Sequence, residues 1–267
     1  MKTVLSFDVD QTLNVAKTPI TAEVAKLLIA CLRADFRICP ISGQKFDQFL
    51  VQIVNPMLKN GATPADLAGL HLFVAQGTQY YRYEPADKQA KYSESHWHQV
   101  YSFPLTDAQV SEISSALETA ARELGFWEED KLAEGDQIIE NRLSQVTFSA
   151  LGQSAGTEPK YKWDPDCKKR EKIVARAKEL APDFDYEIGG TTSINAIVPG
   201  MNKVFGMTHL MEELHVEKSD ILYFGDMTQP GGNDYPVVAM GIDTITVRSH
   251  EDTAFALRGI LGVTNNL

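Results

Sequence analysis

Residues 3–7, Thr-Val-Leu-Ser-Phe, form a short apolar run rich in β-favouring side chains, and it stops on two carboxylates one residue apart, Asp8 and Asp10. A run of this kind reads as a buried parallel strand, and open parallel sheets carry their chemistry at the carboxyl ends of their strands. Thr21 then opens a helical pattern with Val24, Leu27, Leu28 and Cys31 on one face, and a second strand is expected over 37–41, ending at Ser42-Gly43. Strand, helix and strand in this order predict a parallel α/β layer.

The pattern changes after Glu84-Pro85. A polar stretch leads to an amphipathic helix with Val110, Ile113, Leu117, Ala121 and Leu124 in its apolar stripe. Strands are expected over 137–141 and 145–149, then a helix over 166–180, then strands over 184–188 and 193–198: an α+β unit of its own. From Lys203 the first pattern returns, with strands expected over 221–224 and 244–247 and a last helix. The sequence therefore predicts a core of residues 1–84 and 200–267, built from both ends of the chain, and an inserted unit of 85–199.

A chain of 267 residues, 43% of them hydrophobic, is long enough for a substantial core plus such an insertion. Its net charge of −11 repels nucleic acid and anionic lipid. Cys31, Cys39 and Cys167 have neither disulfide-framework nor zinc spacing, no apolar run reaches membrane length, and no export signal precedes the first strand. A cytoplasmic protein is expected, free of nucleic-acid and membrane partners.

Asp8-Val9-Asp10-Gln11-Thr12 places two carboxylates at one strand end. At about 4 Å in a surface-like dielectric they repel by roughly 4 kcal/mol, which a divalent cation relieves. The same cation lets a phosphate dianion approach an anionic nucleophile. Alone, Asp8 and Asp10 also read as turn residues, and an Asp-x-Asp-x-Thr match arises by chance in about 3% of chains this long. Later segments add weight. Gly225-Asp226 and Gly231-Gly232-Asn233-Asp234 put more oxygen ligands after a strand, and Lys203 begins a helix whose positive end favours phosphate.

In order, these segments resemble the four motifs of the haloacid dehalogenase superfamily. The resemblance implies an α/β fold, a Rossmann-like parallel-sheet core with an inserted α+β cap, and magnesium as cofactor. It implies Asp8 as nucleophile, Asp10 as general acid and base, Ser42 with Gly43 on the phosphate, and Lys203 offsetting charge. The metal falls to Asp8, Asp10 through its backbone carbonyl, and Asp226, supported by Asn233 and Asp234. Gln11 stands where the family usually has glycine.

The insertion and the run from Tyr223 to Tyr235 are similar to eukaryotic-type phosphomannomutases, which implies a sugar phosphate as substrate. In that family cap arginines hold the distal phosphate of a sugar bisphosphate. Here Arg142 stays in register, but Gln153 stands in place of one arginine, another is expected near Gly135, and Asn195 stands in place of an aspartate. With Ser193, the residues Arg142, Gln153 and Asn195 are the substrate-binding candidates that the resemblance implies in the insertion. Glutamine cannot supply the cationic fork of arginine. Lys160, Lys162, Lys168, Lys169 and Arg170 are candidate substitutes, although such a charge run more often forms a solvated helix face. The sequence thus favours a phosphatase first and a phosphomannomutase second. A non-catalytic phosphosugar-binding protein ranks third, because Asp8, Asp10 and Asp226 are all kept. His96 and His98 are expected in a surface loop of the cap, and a homodimer through the cap is a further expectation.

Overall fold

The computed structural model describes residues 2–87 and 90–264. The first part of the chain runs β1 (Val4–Phe7), α1 (Ala22–Arg33), β2 (Arg37–Pro40), β3 (His71–Val74), β4 (Gln79–Tyr83) and β5 (Trp97–Ser102). Next come α2 (Asp107–Glu123), β6 (Ile139–Asn141), β7 (Val146–Ser149), α3 (Lys168–Leu180), β8 (Asp185–Gly189) and β9 (Ser193–Ile197). The chain closes with α4 (Lys203–Leu214), β10 (Ile221–Gly225), β11 (Asp243–Thr246) and α5 (His250–Val263). Among the described residues no helix is long and apolar enough to cross a membrane.

The chain divides into two compact units, Met1–Ser102 with Asn202–Leu267, and Phe103–Met201. In the first, a parallel sheet has the order β11-β10-β1-β2, so segments more than 200 residues apart become neighbours, Val4 beside Ile221 and Phe7 beside Phe224. The Phe7 and Phe224 rings stack at 4.8 Å. Such a pair adds about 0.5–1.5 kcal/mol beyond the area it buries. All four β1 residues are buried, as an apolar run without alternation requires. Helix α1 starts where Thr21 accepts a hydrogen bond from the Val24 N–H at 3.2 Å, and it buries Val24, Leu28 and Cys31.

The inserted unit has an antiparallel sheet, β6-β7-β9-β8. Ile113 and Leu117 of α2 and Ile173 and Ala177 of α3 share its core with Val146, Phe148, Ile194 and Ala196. This is the α+β arrangement expected from the sequence.

The structure corrects the expected boundary at residue 85. An antiparallel sheet, β3-β4-β5, belongs to the first unit, so its last strand, β5, falls in the core and not in the polar start of the expected insertion. Strand β5 pairs with β4 because Trp97 is buried against Tyr83, ring centroids 5.2 Å apart, while His98, Gln99 and Val100 point outward. His96 and His98 consequently lie in the first unit, His96 near the Tyr83 hydroxyl and His98 at 3.5 Å from Glu84, and not in a cap loop. Lys88 and Gln89 of the polar stretch lie outside the described residues. The apolar run near Val237 forms a short helix, Tyr235–Ala239.

Candidate active site

Asp8 follows the last residue of β1, and its N–H donates to the Phe224 carbonyl of β10 at 2.9 Å. The residue is 5% exposed. Asn202 caps α4 through a bond from the Val204 N–H at 2.9 Å, which makes Lys203 the first residue of the helix. The Lys203 ammonium donates to Asp8 Oδ1 at 2.6 Å, to the Tyr223 hydroxyl at 3.2 Å and to Asp234 Oδ1. Tyr223 donates to the same Asp234 oxygen at 2.6 Å, and the Met227 N–H donates to Asp234 Oδ2 at 3.0 Å. Both oxygens of Asp234 are therefore engaged within the protein. Glycine is required at two points of this loop: a Cβ at Gly225 would come within 2.6 Å of the Asp234 carboxylate, and one at Gly232 within 2.0 Å of the Met227 carbonyl.

Carboxylate oxygens of Asp8, Asp226 and Asp234 lie within 4.8 Å of one another. Three carboxylates against one ammonium leave two negative charges in a largely buried site, and the titrations reflect it. Burial pushes Asp8 well above the ordinary carboxylate range, while Lys203 pulls it down and Asp234 and Asp226 push it up again. Burial alone would depress Lys203; Asp234 and Asp8 reverse that and hold its ammonium well above the usual range. Asp226 is pushed up to about 6, by burial first and Asp234 second. Asp234 is held below the ordinary range, because Lys203 and its hydrogen bonds outweigh burial. An all-oxygen donor set with two surplus negative charges fits a hard divalent cation such as magnesium. With Asp234 occupied by Lys203, Tyr223 and Met227, the donors best suited to such an ion are Asp8 and Asp226.

Asp10 sits in the loop after β1 and is held at both oxygens. The Lys17 backbone N–H donates to Oδ1 at 2.8 Å and the Gln44 amide to Oδ2 at 2.9 Å. Gln11 adopts φ +65°, the left-handed region where the family's usual glycine fits without strain. Ser42, buried, lies just beyond β2, which neighbours β1, so it shares the carboxyl edge of the sheet with Asp8. Its N–H donates to the Phe73 carbonyl and its own carbonyl accepts from the Gln76 N–H. Gly43 follows it, half-buried. The half-buried Asn233 side chain joins none of the hydrogen bonds of this cluster among the described residues. Sequence reasoning missed Tyr223 and Gln44 as site residues. Tyr223 had a signal, since it stands in β10, three residues before Asp226, which follows the strand.

The remaining candidates lie in the inserted unit. Arg142 pairs with Glu140 at 2.8 Å between β6 and β7. Asn195, on β9, accepts from Thr147 at 2.9 Å and from Gln145 at 3.2 Å, so the structure builds it into a buried amide and hydroxyl network. Ser193 begins β9, opposite Ser149. The Gln153 carbonyl accepts from the Lys160 ammonium at 2.7 Å. Arg170 corrects the reading of a solvated charge run. It is 2% exposed, pairs with Asp164 at 2.8 Å and donates to the Gly189 and Gly190 carbonyls. Lys162 pairs with Glu158, Lys168 with Asp166, and Lys169 lies over the Trp163 ring.

A family profile described as eukaryotic phosphomannomutase matches residues 132–263. The phosphomannomutase of Encephalitozoon cuniculi is 26% identical over 262 residues, 94% of this chain and 91% of that protein. A probable phosphomannomutase of Caenorhabditis elegans is 25% identical, covering 97% of this chain and 96% of its own. Among solved structures, a haloacid dehalogenase-like hydrolase from Bacteroides thetaiotaomicron superposes with a TM-score of 0.61 at 14% identity, covering 97% of this chain and 100% of that one. IMP-bound IMP-nucleotidase of Plasmodium falciparum gives 0.63 at 16% identity, covering 98% of this chain and 68% of that one. At such identities the structural likeness is one of fold.

Proposed function

We propose that this chain, a phosphomannomutase-like member of the haloacid dehalogenase superfamily and an enzyme of its phosphotransferase/phosphatase class, moves the phosphoryl group of a sugar phosphate through Asp8. The observation that carries the reading is the buried cluster in which Lys203 bridges Asp8 and Asp234 at the strand ends. Asp8 attacks phosphorus, the ester P–O bond breaks, and Asp10 gives its proton to the departing sugar oxygen. In the second half Asp10 takes a proton from the oxygen that attacks the phosphoaspartate. Lys203 offsets charge on the phosphoryl oxygens, the Ser42 hydroxyl and the Gly43 backbone hydrogen-bond to them, and Asp234 keeps Lys203 charged and in place. Asp8, Asp226 and the Asp10 carbonyl would hold magnesium, which would neutralise part of the phosphate's charge.

Two acceptors are open to the phosphoaspartate. Return to a sugar hydroxyl makes a mutase, and the relatives support this second-ranked sequence expectation better than the first: matches spanning more than nine-tenths of both chains are phosphomannomutases. Transfer to water makes a phosphatase, and one feature favours it. Gln153 stands where that family has a cap arginine, and Arg170 and the neighbouring lysines are engaged within their own unit. The deciding experiment supplies mannose 6-phosphate or mannose 1-phosphate with magnesium and a hexose bisphosphate activator, following isomer and free phosphate together. Isomer formed faster than phosphate is the expected result. Phosphate formed faster makes the enzyme hydrolytic, and neither product from any sugar phosphate defeats the substrate class. A cytoplasmic location is part of the proposal, in keeping with three free cysteines.

A further inference from the structure

Asp10 is held from two sides by groups that are themselves fixed. On one side the Lys17 N–H belongs to a loop tied down by Asn14, whose amide donates to the Thr18 carbonyl at 2.6 Å and to Gln52 at 2.9 Å. On the other, the Gln44 carbonyl accepts from the Ala75 N–H at 3.0 Å, two residues after Ser42 accepts from Gln76. Gln44 is 7% exposed. Its Nε2 is committed to Asp10, while its Oε1 is buried and meets no hydrogen-bond partner among the described residues. Packing does not account for an amide here, because a methionine would fill the same space without burying an orphan acceptor. The polar end is accounted for by the carboxylate it holds. Glutamine does this as a neutral donor, adding no positive charge beside a group that must shuttle a proton.

We propose that Gln44 is a positioning residue: with the Lys17 N–H on the other oxygen, its amide fixes the Asp10 carboxylate in the orientation from which a proton reaches the leaving sugar oxygen. The inference rests on Asp10 as general acid. It applies whether the phosphoryl group ends on a sugar or on water. A misplacement of about 1 Å at such a group costs roughly 100-fold in rate, and only where the leaving group needs an acid.

The test compares wild type, Gln44→Met, Gln44→Glu and Asp10→Ala in single-turnover phosphorylation with magnesium. The substrates are 2,4-dinitrophenyl phosphate, whose leaving group needs no proton, and a hexose 6-phosphate, whose leaving group does. Methionine matches glutamine in length and cannot donate; glutamate matches its shape, offers no donor when ionised, and carries the test if the methionine variant misfolds. Both Gln44 variants should lose about 10- to 100-fold with the hexose phosphate and less than about threefold with the aryl ester, with KM for either ester within about threefold. Equal losses with both esters, or no loss with the hexose phosphate while Asp10→Ala still discriminates, would overturn the role of Gln44 alone. If Asp10→Ala itself fails to discriminate, the acid assignment falls and this inference with it.

Discussion

The Lys203 site invites the most quantitative test. Lys203→Met keeps the unbranched apolar stem and removes the charged end, leaving Asp8, 5% exposed, and Asp234, fully buried, without their shared partner. Removing one member of a buried ion pair costs about 3–5 kcal/mol, because the remaining charge is uncompensated in low dielectric. With a urea slope of about 2–3 kcal/mol/M for a domain of this size, the midpoint should fall by roughly 1–2 M. The cost should depend on pH. Asp226 is pushed up to about 6 with Lys203 present, and losing the ammonium pushes it higher still, so towards acid pH a proton on it relieves part of the repulsion, and at alkaline pH the full penalty applies. The assay follows Trp97, buried in the first unit, in a background where Trp127 and Trp163 of the inserted unit are phenylalanine, so that only the unit holding the site is read. Asp234→Asn introduced into the Lys203→Met protein should recover about 1–3 kcal/mol, since it removes one of the stranded charges. A midpoint shift under about 0.3 M at pH 8, or a larger shift at pH 5 than at pH 8, would refute the charge argument.

Asp8→Asn should fold and bind magnesium weakly, with no burst of phosphoenzyme from any ester, because an amide is neither anionic nucleophile nor strong ligand; appreciable turnover would rule out the aspartyl-phosphate route. Gln11→Gly should raise stability by about 0.5–1 kcal/mol in a thermal melt, since it relieves a left-handed φ of +65° at a non-glycine residue. Magnesium affinity, measured by calorimetry, should fall by up to about tenfold per pH unit below about 6, where Asp226 takes up a proton that must leave before the carboxylate can ligate; a flat profile between pH 5 and 7 would remove Asp226 from the metal. In the absence of metal the same carboxyl opposes folding as pH rises. Its folded value lies above the unfolded one, so the unfolded chain ionises first and stability falls between about 4 and 6.

Elements with a strong local pattern were legible in the sequence. The unbroken apolar run of β1, the capped stripes of α1 and α2 and the strand of Tyr223 and Phe224 all lie within a residue or two of where periodicity puts them. The sheet β3-β4-β5 was not, because its strands carry no clean alternation. Its last member buries Trp97 and then turns His98, Gln99 and Val100 to solvent, and the aromatic packing of Trp97 and Tyr83 exists only once β4 and β5 have paired. The site shows the same division. Asp8, Asp226 and Asp234 stand out as acidic residues after strands, whereas the bond between Lys203 and Asp8 joins positions 195 residues apart and comes from the register of β10 beside β1. Gln44 had no signal, since one hydrogen bond across 34 residues leaves no periodicity.

On the proposed reading, the choice between sugar and water as acceptor turns on how well a sugar bisphosphate is retained after the first transfer, and that depends on cations able to leave their internal partners. In the inserted unit Arg170 cannot, since its guanidinium is spread over the Asp164 carboxylate and three backbone carbonyls in a buried clasp that holds the start of α3 to the end of β8. Lys160 is buried, and burial holds its ammonium below the usual range, which makes it a weak phosphate partner. Arg142 is the better candidate. Its pairing with Glu140 is short-range and only partly buried, and a doubly charged phosphate can compete for a guanidinium on such terms. Arg142→Lys keeps the charge and loses the fork. If Arg142 holds the distal phosphate, that variant should lower isomer formation by about tenfold or more while leaving phosphate release from a monophosphate within about threefold. Equal loss of both products would place Arg142 in the stability of its own unit instead.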